Sequence, residues 1–423
     1  MPNIKLVEPR RRMLMAGTTF IVTVVTLLAS IKAFVTPAYT NGTYLHKLVG
    51  MAQEMEILET VNSLWIMLCG LVTLFMLILV AFFIGWLRNY EWSTFVVTFL
   101  AAAICIPLYA FIYEFFLGTI MEPTVFYLAI VCAITAIIAW AVPLGRGSLL
   151  QASIFYVIFT LFYIMNEYSL YIGWGAADPG GSLLVHVFAA YFGMGYILKG
   201  LHTKAEDYKV SWEMTKWSMT MCLMGAGLLW PLWSFFVAAL MGPYVFPIGA
   251  WNVTFAICGS VLSCTALSRI YRGKPSIVDI CWSMLAGGVA IGATANIATI
   301  WEAFLIGLIA GGITCTGFAK VWEPIFNKKV GIDVCGVQFL HGWSGIFGGI
   351  VAASILIGIK APEQWTVGIW ATGVMSQIMG GISTIIIALI GGVVAGAICL
   401  AFKRPEPIYS DKPILVEAET ISE

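Results

Sequence analysis

Charge is scarce in this chain. Of 423 residues only 10% are charged, against about 25% in a soluble domain. The mean hydropathy is +0.93. Together these values exclude an ordinary soluble fold and fit a polytopic membrane protein. The formal net charge is +0, which removes the electrostatic case for nucleic acid as a partner. No nucleotide-binding loop, nucleophile paired with a base, or metal-ligand constellation can be found, so an enzyme fits poorly and no cofactor or metal is expected. The ten cysteines all fall in or at the ends of apolar runs. That argues against a disulfide framework and for small apolar packers. Histidine is rare as well, with four residues. The segment before residue 13 is polar and basic, and the apolar run after it is too long for a cleaved signal, so it reads as a retained anchor.

What is present is a series of long apolar runs. A window of about 19 residues finds roughly twelve helical spans. They cover roughly 13–35, 63–87, 94–117, 124–143, 149–173, 180–201, 215–240, 247–269, 276–297, 301–321, 337–358 and 376–402. The expected fold is therefore all-α: one membrane domain over 13–402, a cytoplasmic segment 1–12 before it and a polar tail 403–423 after it. Lys and Arg orient the spans. With the N-terminus in the cytoplasm, the inner segments hold 19 of the 22, and only Lys32, Lys47 and Lys360 fall outside. This positive-inside bias predicts a multi-pass protein of the cell membrane with both termini cytoplasmic.

Two of these spans open on the same pattern, Asp-x-x-Gly with a His five residues after the Gly. One runs from Asp178 to His186 and the other from Asp333 to His341. These are the only histidines inside the apolar spans. Ionisable groups at membrane depth are energetically unfavourable, so such a pair marks a functional site. The motifs are five spans apart, an odd number, and so enter the bilayer from opposite faces. Spans 2–6 (63–201) and 7–11 (215–358) then form a 5+5 inverted repeat. Transporters built this way place the substrate path at the repeat interface near the midplane. Each residue type suits its place. Asp at a helix start accepts hydrogen bonds from free backbone amides. Gly permits close helix approach. Neutral imidazole carries one donor and one acceptor, so two rings can share a proton.

Several of these elements resemble the Rhesus branch of the ammonium transporter family. They are Asn166-Glu167-Tyr168, Asp178 to Ser182, and the run from His186 to Gly193. Val278-Asp279-Ile280, Leu285 to Gly292, and Asp333 to Val337 followed by Leu340 to Gly345 are similar too, as is Trp230-Pro231. Their order matches over roughly residues 60–400. The resemblance implies a homotrimer in the lipid bilayer with one pore per subunit. It implies ammonia or ammonium as the substrate, with methylammonium or carbon dioxide as further candidates. His186 and His341 match the family's twin pore histidines. Asp178 matches the acid near the outer vestibule, Asp333 is its counterpart in the second half, and Glu167 matches a Rhesus-type glutamate.

The pore walls depart from the family pattern. The family's outer gate uses two Phe rings. Here Trp230-Pro231-Leu232-Trp233-Ser234 puts Trp233 in one of those places, and Phe126 or Tyr127 is the candidate for the other. A Rhesus-type Asn-Ala-Thr becomes Trp282-Ser283-Met284. The leading expectation is an ammonia channel with ammonium recruitment and deprotonation. The alternatives are a channel for another small neutral gas such as carbon dioxide, and a non-conducting structural or sensing membrane protein.

Overall fold

The computed structural model describes residues 52–87, 90–118, 122–199, 214–327, 333–358, 373–401 and 411. The first expected span, the basic segment before it and the tail other than Asp411 lie outside the described residues. Every regular element among those described is a helix. In chain order they are α1 Ala52–Ile84, α2 Ser93–Leu117, α3 Pro123–Trp140, α4 Leu149–Glu167 and α5 Phe188–Lys199. Next come α6 Lys216–Val237, α7 Gly242–Arg272, α8 Ile277–Ser283, α9 Ala286–Ile291 and α10 Ile300–Thr316. α11 Ser344–Gly358 and α12 Val374–Ala401 complete the series.

Seven helical stretches among the described residues are long and apolar enough to cross a bilayer. The difference from twelve has identifiable sources. The first span lies outside the described residues. Lys216–Arg272 counts as one stretch although it holds both α6 and α7. Ser182–Leu198 and Ile277–Ile291 are apolar but fall short in length, and the expected span 337–358 is not among the seven.

Helix ends follow local chemistry. Capping boxes start α4 (Ser148 with Gln151), α6 (Thr215 with Ser218) and α10 (Thr299 with Glu302). Each satisfies two amides that the first turn leaves free. Left-handed Gly118 and Gly273 close α2 and α7. Helix faces are sorted by residue size. On α12, Ile378, Ile382, Ile386 and Ile390 form an exposed stripe at a spacing of four, as expected of a lipid-facing surface. The opposite face is lined by small residues. A Cβ on Gly392 would strike the Phe192 carbonyl, and one on Gly195 the Leu389 carbonyl, so α12 and α5 approach backbone to backbone.

Several turns meet at one end of the bundle. Tyr90 donates to the Gly145 carbonyl at 3.2 Å, and the Trp92 and Trp217 rings lie 6.5 Å apart. Asp411 reaches the same end and accepts the Trp92 and Ser93 amides at 3.0 and 2.7 Å, capping α2. Arg146 follows Gly145 in this turn. Lys320, two residues before Trp322, lies on the helix that meets Trp86 near the end of α1 and sits 4.9 Å over the Tyr271 ring beside Arg272, and we call this side the basic end. Arg272 is held there by a bidentate pair with Asp279 at 2.6 and 2.8 Å.

Candidate functional site

The two Asp/Gly/His segments have matching local geometry. Gly181 and Gly336 both take left-handed backbone conformations, φ 77° and 65°. A residue with a Cβ is strained there. The turn lets each aspartate fold back over the helix that follows. Asp178 Oδ2 accepts the Leu183 and Leu184 amides, both at 2.8 Å, and Asp333 Oδ2 accepts the Gln338 amide at 2.8 Å. The carbonyl of each aspartate is held by an aromatic donor from the preceding helical segment. Tyr171 Oη donates to the Asp178 carbonyl and Trp322 Nε1 to the Asp333 carbonyl, both at 2.8 Å. The loops are also tied to their surroundings, with Gly180 N donating to Gly292 O and Val334 N to Val142 O, each at 2.9 Å. Ser182 adds a crosslink, donating to the Val289 carbonyl at 2.7 Å while accepting the Ala293 amide at 2.9 Å.

Both segments then run as π-helix, Ser182–Val187 and Gln338–Trp343. Insertions of this kind widen the turn, re-aim side chains, and recur at functional sites. His186 and His341 sit within them, 155 residues apart in sequence, and their Nδ1 atoms approach to 3.0 Å. The ring centres are 5.0 Å apart with planes 24° from parallel. Both rings are buried. An Nδ1–Nδ1 hydrogen bond requires one ring to carry a proton at Nδ1 and the other to accept it. The Nε2 atoms of a neutral pair are then unlike, a lone pair on the first ring and an N–H on the second. Among the described residues, His186 Nε2 has no hydrogen-bond partner.

The pair lines an internal cavity whose other walls are almost wholly apolar. Ile134, Ile138, Leu229, Leu285, Val337 and Leu340 are among them. Away from the basic end, the Trp233 ring lies nearly parallel to His186, 5.9 Å away at 10°, with Phe236 6.1 Å from the same imidazole. Gly288 makes room for Trp233, since a Cβ there would sit 2.5 Å from its Nε1. Toward the basic end the cavity meets Trp86, Trp282, Phe318 and Cys335.

The other candidates take distinct places. Glu167 is buried beside α2, accepting Tyr109 Oη at 2.8 Å and Tyr113 Oη at 3.2 Å. Phe126 packs on α1, where a Cβ on Gly70 would lie 2.7 Å from its ring, and it is not among the cavity-lining residues. Phe236, which sequence reasoning did not single out, is the ring beside Trp233. Its only signal was a position three residues further along the same helix, hence on the same face.

Comparison with known proteins places the chain in a family. The bovine ammonium transporter Rh type A is 32% identical over 270 residues, covering 63% of this chain and 61% of that protein. The zebrafish ammonium transporter Rh type B is 28% identical over 368 residues, covering 78% and 76%. The chain spans about three fifths of the length of the mammalian type A and type C relatives it matches. The solved Nitrosomonas europaea Rh50 channel superposes with a TM-score of 0.74 at 28% identity, covering 85% of this chain and 98% of that one. Saccharomyces cerevisiae Mep2 shares the fold with a TM-score of 0.64 at 18% identity, covering 82% and 86%. A sequence model of the Ammonium Transporter Family matches residues 44–404, nearly the whole of the helical domain, and the chain belongs to that family.

Proposed function

We propose that this chain is a cell-membrane channel that conducts neutral ammonia past His186 and His341. The observation that carries the reading is the 3.0 Å contact between the two Nδ1 atoms inside an otherwise apolar cavity. An ammonium ion would lose its hydration there without a counter-charge, and an unpaired charge in an apolar medium is strongly disfavoured. Ammonia accepts one hydrogen bond and donates three. The unlike Nε2 atoms of the pair offer it a donor on one ring and an acceptor on the other. Trp233 presents an aromatic face before the pair, suited to attract ammonium as it arrives and gives up its proton. Phe236 shares that mouth. Asp178 and Asp333 hold the two motif turns, and Glu167 braces α4 against α2.

The basic end faces the cytoplasm in this reading, as the Lys and Arg distribution favours. Twelve spans, with halves 63–201 and 215–358 inverted relative to each other, bring the two motifs in from opposite faces. The matched turns at Gly181 and Gly336 support that arrangement. The protein assembles as a homotrimer in the bilayer, each subunit with its own lumen.

Stopped-flow alkalinisation of proteoliposomes under an ammonium gradient tests the proposal. Ammonia permeability above that of empty vesicles is expected, with a flux that rises with external pH at fixed total ammonium because only the neutral form crosses. Parallel records with methylammonium and carbon dioxide separate the substrates. A protein effect on carbon dioxide alone would overturn the ammonia assignment.

A further inference from the structure

We infer that Trp282 is the size-discriminating gate of this pore, at its cytoplasmic end; the inference rests on the ammonia-channel reading above. Three indoles converge there. Trp282 is 4.7 Å from Trp86 and 5.5 Å from Trp322, and Trp86 is 6.3 Å from Trp322, measured between ring centres. Phe318 joins the group 5.0 Å from Trp282. The indoles meet edge to face and Phe318 packs at 42° to Trp282, separations at which rings are in van der Waals contact and leave little room between them. An aromatic cage for a bound cation is excluded for the same reason, since the space such a cage needs is filled by the rings. A molecule that has passed the histidines and moves toward the basic end meets this cluster next.

Within the cluster Trp282 holds a special position. It touches all three other rings and lines the cavity itself. It stands where the helix is interrupted, one residue before the end of α8 at Ser283, whose carbonyl is held by Ser260 at 2.7 Å. Trp322 is anchored through its N–H to the Asp333 carbonyl. Phe318 is wedged against the left-handed turn at Gly336. The second motif and the aromatic cluster are thus one packed body, and Trp282, in contact with Trp86 and Phe318, faces the lumen with them. At the other mouth, Trp233 and Phe236 form a two-ring entrance. The inner end, with more rings, sets the limit on cargo size. Ammonia slips past with small ring displacements, and an amine larger by one methyl group is retained.

The test compares ammonia and methylamine permeabilities in proteoliposomes of wild type, Trp282→Ala, Trp282→Leu and Trp282→Phe. One carbon more or less in a fitted apolar site changes discrimination by about 10- to 200-fold. The methylamine-to-ammonia ratio should therefore rise about tenfold or more in the alanine variant, less in the leucine variant and least in the phenylalanine variant. Ammonia permeability itself should not fall. If the alanine variant does not fold, the leucine variant decides. Folded variants that keep the wild-type ratio, with wild type conducting ammonia, would overturn the gate alone. Wild-type vesicles no more permeable to ammonia than empty ones would overturn the channel reading, and the gate with it.

Discussion

Replacing His186 by leucine tests the shared proton. Leucine keeps bulk and removes all polarity, so His341 Nδ1 loses its partner at 3.0 Å. Among the described walls of the cavity, Leu340, Ile134 and Leu285 are apolar and cannot replace it. The consequence reaches beyond one hydrogen bond. In the native pair the Nδ1 contact makes one Nε2 a donor and the other an acceptor. With one ring gone, the remaining imidazole is free to take either tautomer and offers ammonia a single, unassigned site. A hydrogen-bonding group left unmatched in an apolar setting costs about 1–3 kcal/mol. At one decade of rate for each 1.36 kcal/mol, ammonia permeability should fall about 5- to 150-fold. His341→Leu should do the same. The double variant should be little worse than either single, because the pair acts as one unit. Stopped-flow permeability of all four proteins in matched proteoliposomes completes the cycle. Single variants that conduct like wild type, or losses that simply multiply in the double variant, would refute the argument.

Two further outcomes concern the scaffold. Asp178→Ala strands the Leu183 and Leu184 amides, both bonded at 2.8 Å, and at about 1–3 kcal/mol each should lower the melting temperature in detergent sharply. Asp178→Asn keeps an acceptor and should lose much less; equal melting temperatures for wild type and the alanine variant would rule out the capping role. Tyr109→Phe removes the 2.8 Å donor to the buried Glu167 and should cost about 1.5–3 kcal/mol, read as a lower melting temperature that Glu167→Gln only partly shares.

The parts legible in the sequence were those defined by short spacings and rare residue types. Asp178, Gly181 and His186 lie within nine residues of one another, as Asp333, Gly336 and His341 do. Repetition of that pattern identified both segments. What the sequence hid depended on the rotation of helices about their own axes. Phe126 and Tyr127 are adjacent and both aromatic, yet the notch at Gly70 takes Phe126 into α1, while Tyr127 donates to the Phe236 carbonyl. Neither shows in a hydropathy profile. The inner cluster was hidden for a different reason. Trp86, Trp282 and Trp322 come from three distant segments, and 16 tryptophans give no hint of which three meet. Glu167 was readable from its resemblance to a Rhesus-type glutamate, but its two tyrosine partners lie 58 and 54 residues away on another helix. The π-helical turns also escaped notice, because an apolar run has the same composition whether it winds in α or π register.

The hydrogen bond between the two imidazoles also has a memory. Suppose a proton is handed to the Nε2 lone pair at one end. The shared proton shifts across, and the far ring releases its own from Nε2. The pair is left in its mirror-image tautomer. A second proton arriving from the same side now meets an N–H where the lone pair had been, and must wait until the rings or the shared proton reset. A neutral guest leaves the tautomers as it found them and can follow its predecessor at once. In the proposed channel the single contact at 3.0 Å would act as a ratchet, rewound after every charge and never after a neutral molecule.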